Sequence, residues 1–311
     1  MGSIVDPVSP IGRWDLWHCP SCTTGWATPL MVPAGYYDAI YAAEPPITGY
    51  LRYRRLAKAV ARHPAPLSYL TTQQDVYWAA QEFLRLQAPA GRIAEIGSGL
   101  GYLTHAVHVS GRDVVGLDVS AEAVAQASAR FGEHYRVCDL ASPDDDLVGS
   151  FDAVLGLEVI EHAVDPCQFV SDALRLLRPG GKLMLTTPDR DGYGRSDRWR
   201  TDPPPVHLFW FGRQSMEALG ERLGVRVEFL DFSAFNDMCT QTIPRPSAAL
   251  PTPFLGEHMS PVAVAGARER LIDALDRVPR VGAALRAIVR RSAGTRRLGR
   301  GSAALAAIFT R

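Results

Sequence analysis

Glu158, Glu161 and His162 stand at i, i+3 and i+4 in the stretch EVIEH. On a helical turn that spacing gathers side chains on one side. They follow the apolar run FDAVLGL at 151–157, at the carboxyl end of what reads as a buried strand. Open α/β sheets place their ligands at such ends. His207, in PPPVHLFWF, comes from a later loop that can reach the same edge. Two carboxylates and two imidazoles suit two tasks. They could hold a divalent cation through oxygen and nitrogen ligands. Alternatively, His162 or His207 could take a proton from a reacting hydroxyl, with Glu161 beside it. The residues leave both open.

A second group lies at 94–101, AEIGSGLG. Dinucleotide-binding turns need G-x-G-x-x-G, with the third glycine where the new helix packs on the strand. Counted from Gly97 that place is Tyr102, and from Gly99 it is Thr104. A nicotinamide-dependent oxidoreductase is therefore only a remote alternative. What remains is a turn, Gly97, Gly99 and Gly101, whose backbone can approach a ligand with no Cβ in the way. Glu95, two residues before Gly97, suits a cationic ligand group and repels a pyrophosphate. Asp118 ends the next apolar run and Asp139 the one after it, in VCDL.

Strand-length runs at 92–97, 113–119, 134–140, 151–157, 182–188 and 225–232 must position these residues. They alternate with helical patterns at 100–110, 120–131, 165–178 and 213–223. Ser120 and Asp165 are expected N-caps, with Pro166 in the first turn of its helix. Such alternation implies a parallel sheet covered on both faces. Upstream, 51–63 and 70–87 read as helices, the second capped by Thr71 or Thr72. Residues 1–50 are rich in Pro and aromatics and show no sustained period. After Pro188 the long segment to Phe211 predicts a functional loop or lid. Residues 267–291 read as amphipathic helices interrupted by Pro279, and 302–311 as a closing strand.

Together these motifs resemble the class I S-adenosylmethionine-dependent methyltransferases, whose first motif is roughly E/D-x-G-x-G-x-G. The likeness runs over about 92–232. It implies an α/β, Rossmann-like fold: a seven-stranded, mostly parallel sheet with an antiparallel last strand and helices on both faces. A helical and aromatic leader (1–69) would precede a methyltransferase domain (70–232 plus 301–311). A helical cap or insertion (233–300) would come before the last strand. S-adenosylmethionine would then be the cofactor. Glu95, Gly97, Ser98, Gly99 and Gly101 would hold its amino-acid end. Asp118 and Val119 would meet the ribose, Asp139 and Leu140 the adenine, and Leu157 and Glu158 would close the site.

The E-x-x-E-H arrangement is similar to that of the ubiquinone-pathway O-methyltransferases and, with the later histidine, of the small-RNA 2′-O-methyltransferases. That likeness implies Glu158, Glu161, His162 and His207 as ligands of a divalent metal; the general-base role of His162, Glu161 or His207 stands beside it. The expected reaction is methyl transfer to a small molecule, O-methylation first, with C- or N-methylation also open. A non-catalytic cofactor-binding subunit that activates a partner is the alternative.

The chain has 311 residues, 21% of them charged, and no net charge, which argues against a long nucleic-acid substrate. No apolar run approaches the roughly 20 residues that cross a bilayer. The opening MGSIVDPVSP lacks the basic and apolar regions of a signal peptide, so a cytoplasmic protein is expected, with a homodimer open.

Cys19 and Cys22 resemble one half of a zinc-ribbon leader with Thr23 in place of the usual glycine. Zinc needs four ligands and is not expected there. Tyr36, Tyr37, Tyr41 and Tyr50 read either as core or as a lid. The eight arginines from Arg280 to Arg311 read as a solvated face.

Overall fold

The computed structural model describes residues 4–9, 12–44, 46–47, 50–88, 90–192, 204–238, 242–244, 295–297 and 304–311. The chain opens with strands β1 (Ile4–Ser9), β2 (Gly12–His18) and β3 (Gly25–Thr28), paired antiparallel in that order. Helices α1 (Tyr36–Ala42), α2 (Tyr50–Val60), α3 (Pro66–Thr71) and α4 (Asp75–Arg85) follow. The leader is thus helical only from Tyr36 onward. Its first part is a small sheet that sequence periodicity does not reveal.

The expected helix over 70–87 is divided. The hydroxyls of Thr71 and Thr72 donate back to the carbonyls of Ser68 and Tyr69 and close α3. They do not cap α4, whose N-cap is Gln74 without a side-chain bond. Thr and Ser make such local bonds as readily as caps.

The alternating region forms β4 (Ile93–Ile96), α5 (Tyr102–Val109), β5 (Val114–Asp118), α6 (Ala121–Phe131), β6 (Tyr135–Val137), β7 (Phe151–Leu157), α7 (Pro166–Arg175) and β8 (Leu177–Pro188). The caps hold as read: Ser120 Oγ accepts from Ala123 N–H, and Asp165 from Cys167 and Gln168 N–H. Then come β9 (Phe209–Trp210), α8 (Arg213–Leu223), β10 (Arg226–Phe229), α9 (Ser233–Met238), β11 (Thr242–Pro244), β12 (Thr295–Arg297) and β13 (Ala304–Thr310).

Seven strands make the main sheet in the order β10-β13-β8-β7-β4-β5-β6. β13 is antiparallel to both neighbours, and the remaining neighbours are parallel. Helices cover both faces. Met184 of β8 joins Phe83, Leu103 and Val107 from α4 and α5, whereas Leu183 and Leu185 join Val170, Leu174 and Met216 from α7 and α8. That is the period-2 alternation of a strand buried on both sides. Fully burying one large side chain such as Phe309 contributes about 1.5–3 kcal/mol.

β11 and β12 pair antiparallel. The amphipathic helices expected over 267–291 lie outside the described residues, as does most of the 233–300 insertion. Among the described residues no helix is long and apolar enough to cross a membrane.

Candidate active site

The strand order reverses between β4 and β7, which lie side by side with Ile96 opposite Gly156. This switch point is where open α/β sheets take ligands. A cleft of about 750 Å³ opens there, within the range of small-molecule sites. Glu95, Gly97, Ser98, Gly99, Asp118 and Val119 line it from the β4 and β5 ends. Asp139, Leu140, Leu157, Glu158, His162 and His207 line its other side.

The glycine turn is built by backbone conformation. Gly97 has φ 68° and Gly99 φ 51°, in the region that favours glycine. The missing Cβ atoms also serve the protein's own packing. A Cβ on Gly97 would stand 2.2 Å from Val159 Cγ1, and one on Gly99 2.8 Å from the Tyr41 hydroxyl. Those spaces are filled by the protein itself. The turn is then fixed from below: Asp118 Oδ2 accepts from Gly99 N–H (2.7 Å) and Oδ1 from Ser120 N–H (2.9 Å). Burial raises the Asp118 carboxyl, while these two amides oppose the rise. Glu95 is buried and accepts from the Thr104 hydroxyl. Burial pushes its carboxyl up to about 8, against the pull of Thr104. A cationic group arriving in the cleft would favour its ionised form.

At the opposite wall, Glu158 closes β7 with φ 54°. A non-glycine residue there costs about 1 kcal/mol or more, and such strain gathers at functional sites. The single helical face expected for Glu158, Glu161 and His162 is not formed. Glu158 precedes the short 3₁₀ turn Ile160–His162, and its Oε1 accepts from Thr186 Oγ1 (3.2 Å).

Glu161, His162 and His207 do converge, each offering one ligand-type atom within 4.8 Å of the others; Glu158 is outside that grouping. The two nitrogens of His162 face the carbonyl oxygens of Val206 (Nδ1, 2.7 Å) and Glu158 (Nε2, 3.0 Å). Only the doubly protonated ring can donate to both at once. A neutral ring donates to one of these carbonyls, and a metal on His162 would have to displace a carbonyl from one of its nitrogens. Without His162, Glu161 and His207 alone would face the ion, too few for a closed site. His207 Nε2 lies 3.9 Å from Glu161 Oε1, and both residues are buried.

The leader positions His207. Leu208 N–H donates to Glu161 O, and Ala27 N–H donates to Leu208 O, each at 2.8 Å. β9 pairs with β3, so the opening sheet continues into the segment that carries the histidine. Val206 packs with Tyr36, Ile40 and Ile47 in the core of the α1 region.

Tyr36 is core, and Tyr36, Tyr37, Tyr41 and Tyr50 all line the cleft. Asp38 escaped sequence reasoning. It accepts from Ser120 Oγ (2.5 Å) and pins α1 to the start of α6. Cys19 Sγ contacts Ser21 Oγ and Cys22 Sγ contacts Thr24 Oγ1, both at 3.1 Å. Hydrogen bonds pull the Cys19 thiol down to about 6, that from Ser21 most strongly. Among the described residues no third ligand-type side chain joins the pair.

A family model described as "Methyltransferase domain" matches residues 70–229. A Mycolicibacterium smegmatis relative named "Probable S-adenosylmethionine-dependent methyltransferase" is 33% identical over 166 residues, covering 50% of this chain and 62% of the relative. A ubiquinone biosynthesis O-methyltransferase of Xanthomonas oryzae pv. oryzae is 35% identical over 111 residues, covering 34% of this chain and 46% of that protein. The chain thus spans about half to three-fifths of the length of these relatives. A crystal structure of a SAM-dependent methyltransferase from Thermotoga maritima aligns with TM-score 0.45 and 19% identity, covering 78% of this chain and 92% of that one.

Proposed function

The chain belongs to the methyltransferase-domain family, and from that premise we propose that it moves a methyl group from S-adenosylmethionine to a small-molecule acceptor. The observation that carries the reading is one continuous cleft. It joins the glycine turn and Asp118 to His207, so that cofactor and acceptor share a cavity.

Bound S-adenosylmethionine supplies a methyl group on a positively charged sulfur, a good leaving group. The chain's task is then alignment and proton removal. Asp118 and Asp139 would hold the nucleoside hydroxyls and base, and Glu95 with the glycine turn would hold the amino-acid end. His207 would take the acceptor's proton, its imidazolium stabilised by the buried Glu161 carboxylate. His162, whose two nitrogens face backbone carbonyls, would position that wall. Three features favour the base over a bound cation: the carbonyls facing His162, the place of Glu158 outside the grouping, and the direct approach of Glu161 to His207.

Two measurements test this. Calorimetry should show binding of S-adenosylhomocysteine and none of NAD. Incubation of S-adenosylmethionine with pooled phenols, carboxylic acids and amines should yield S-adenosylhomocysteine with at least one pool. NAD binding without S-adenosylhomocysteine binding removes the reading. Cofactor binding with no turnover in any pool would favour the non-catalytic subunit.

A further inference from the structure

α2 presents a cation to the cleft. Arg52 lines the cavity with Tyr53, Tyr77 and Tyr102, and is open to it. Its Nη2 donates to Tyr53 OH (2.8 Å), and its guanidinium carbon lies 4.7 Å from the Tyr53 ring centroid. Among the described residues no carboxylate pairs with it. Arg54, two residues on, is consumed by Glu44 and by the carbonyls of Tyr41 and Ala43. Asp75, also in the cleft wall, gives its oxygens to the amides of Val76 and Ala304. Tyr53, then Tyr77 and Tyr102, hold the Arg52 pKa above its ordinary value, so the charge is permanent.

A cation that faces a cleft beside phenol hydroxyls, with no carboxylate partner among the described residues, is available to an anionic ligand. Its planar fork matches a carboxylate through two parallel N–H···O bonds. A second donor stands nearby. The hydroxyls of Tyr77 and Tyr102 are 2.6 Å apart; one donates to the other, which leaves one O–H proton to give elsewhere. Tyr102 directly follows Gly101, so this donor set adjoins the glycine turn.

We propose that Arg52, with the Tyr77–Tyr102 hydroxyl pair, forms a carboxylate-binding corner of the cleft. The inference rests on the methyl-transfer reading, which puts two sources of a carboxylate in reach: the amino-acid end of the cofactor and an acid group on the acceptor.

The test compares wild-type protein and Arg52→Gln by calorimetry with three probes. These are S-adenosylhomocysteine, 5′-methylthioadenosine (the same nucleoside without the amino acid), and 4-hydroxybenzoate added to the S-adenosylhomocysteine-loaded protein. A loss of tenfold or more for S-adenosylhomocysteine, with 5′-methylthioadenosine within twofold, identifies the cofactor's carboxylate and shows the variant is folded. Unchanged nucleoside binding with lost 4-hydroxybenzoate binding identifies the acceptor's acid. Arg52→Lys should recover part of either loss, since a point charge replaces the fork. If Arg52→Gln equals wild type with all three probes, the corner is refuted while the methyl-transfer reading stands. A wild-type protein that binds neither nucleoside sinks both.

Discussion

His207 Nε2 stands 3.9 Å from Glu161 Oε1 in a wall where the two side chains are only 5% and 1% exposed. A carboxylate withdrawn from water stabilises an imidazolium more than an exposed one does. His207→Gln is expected to lower turnover about 10²-fold, the lower range of general-base effects. Glu161→Gln should lower it less. Both should leave S-adenosylhomocysteine affinity within threefold, because neither residue belongs to the glycine turn. Steady-state rates and calorimetry on the same preparations check this. A tenfold loss of cofactor affinity would show that the pair supports the cofactor instead.

Asp118 is expected to act twice, on the cofactor and on the turn beneath it. Asp118→Ala strands the amides of Gly99 and Ser120, which the carboxylate now satisfies. Leaving buried donors unmet costs about 1–3 kcal/mol each. The variant should melt lower and bind S-adenosylhomocysteine at least tenfold more weakly. Thermal unfolding with and without ligand separates the two effects. Equal ligand-induced shifts in variant and wild type would remove the ribose assignment.

Glu95 makes cofactor binding pH-dependent. Its carboxyl is pushed up to about 8 by burial, above the ordinary value of about 4.3. A raised carboxyl pKa lends stability below its unfolded value, and that stability fades as pH rises toward 8. The ligand-free protein should therefore lose melting temperature between pH 5 and 8.5. An incoming ammonium favours the ionised carboxylate, so binding at pH 7 should release a fraction of a proton and tighten toward pH 8. Calorimetry in buffers of different ionisation enthalpy measures this release. Glu95→Gln keeps the acceptor for Thr104 and should abolish it.

The βα alternation was legible because each strand and helix carries its own period and its own cap, as at Ser120 and Asp165. The glycine turn and the acids after it follow from that order. The leader's strands were not legible. β3 finds a partner in β9, some 180 residues away in sequence, and Trp14, Ala27 and Trp210 form a core only once they meet. The helical spacing of Glu158, Glu161 and His162 misled, because the φ of 54° at Glu158 breaks the turn before it starts. Arg52 was invisible for another reason. An arginine on an amphipathic helix reads as solvent-facing, and only the fold shows that its solvent is a cleft.

Chelation distinguishes the base from a cation at Glu161, His162 and His207. With the His162 nitrogens facing the Val206 and Glu158 carbonyls, prolonged dialysis against EDTA should leave turnover unchanged. Elemental analysis should find well under one divalent ion per chain. Activity lost to EDTA and restored by magnesium, manganese or zinc would hand the site to a metal.

Thr23 offers a test of the leader's geometry by stability alone. Its φ is 59°, a conformation that costs a β-branched residue about 1–2 kcal/mol. Its hydroxyl is also buried with no hydrogen-bond partner among the described residues. The turn is nonetheless held from three sides. Cys19 N–H donates to Thr24 O, Arg190 to Thr23 O, and Ser215 Oγ to Cys22 O. All of these acceptors are backbone atoms that a glycine would keep. Thr23→Gly relieves the strain and removes the stranded hydroxyl, at some cost in unfolded-state entropy. The balance should be a gain of about 1 kcal/mol, read as a melting temperature higher by roughly 2–4 °C. Because β3 and β9 join this turn to the His207 segment, turnover should be unchanged or slightly higher. A lower melting temperature would mean that the threonine side chain packs productively and that the turn is not strained.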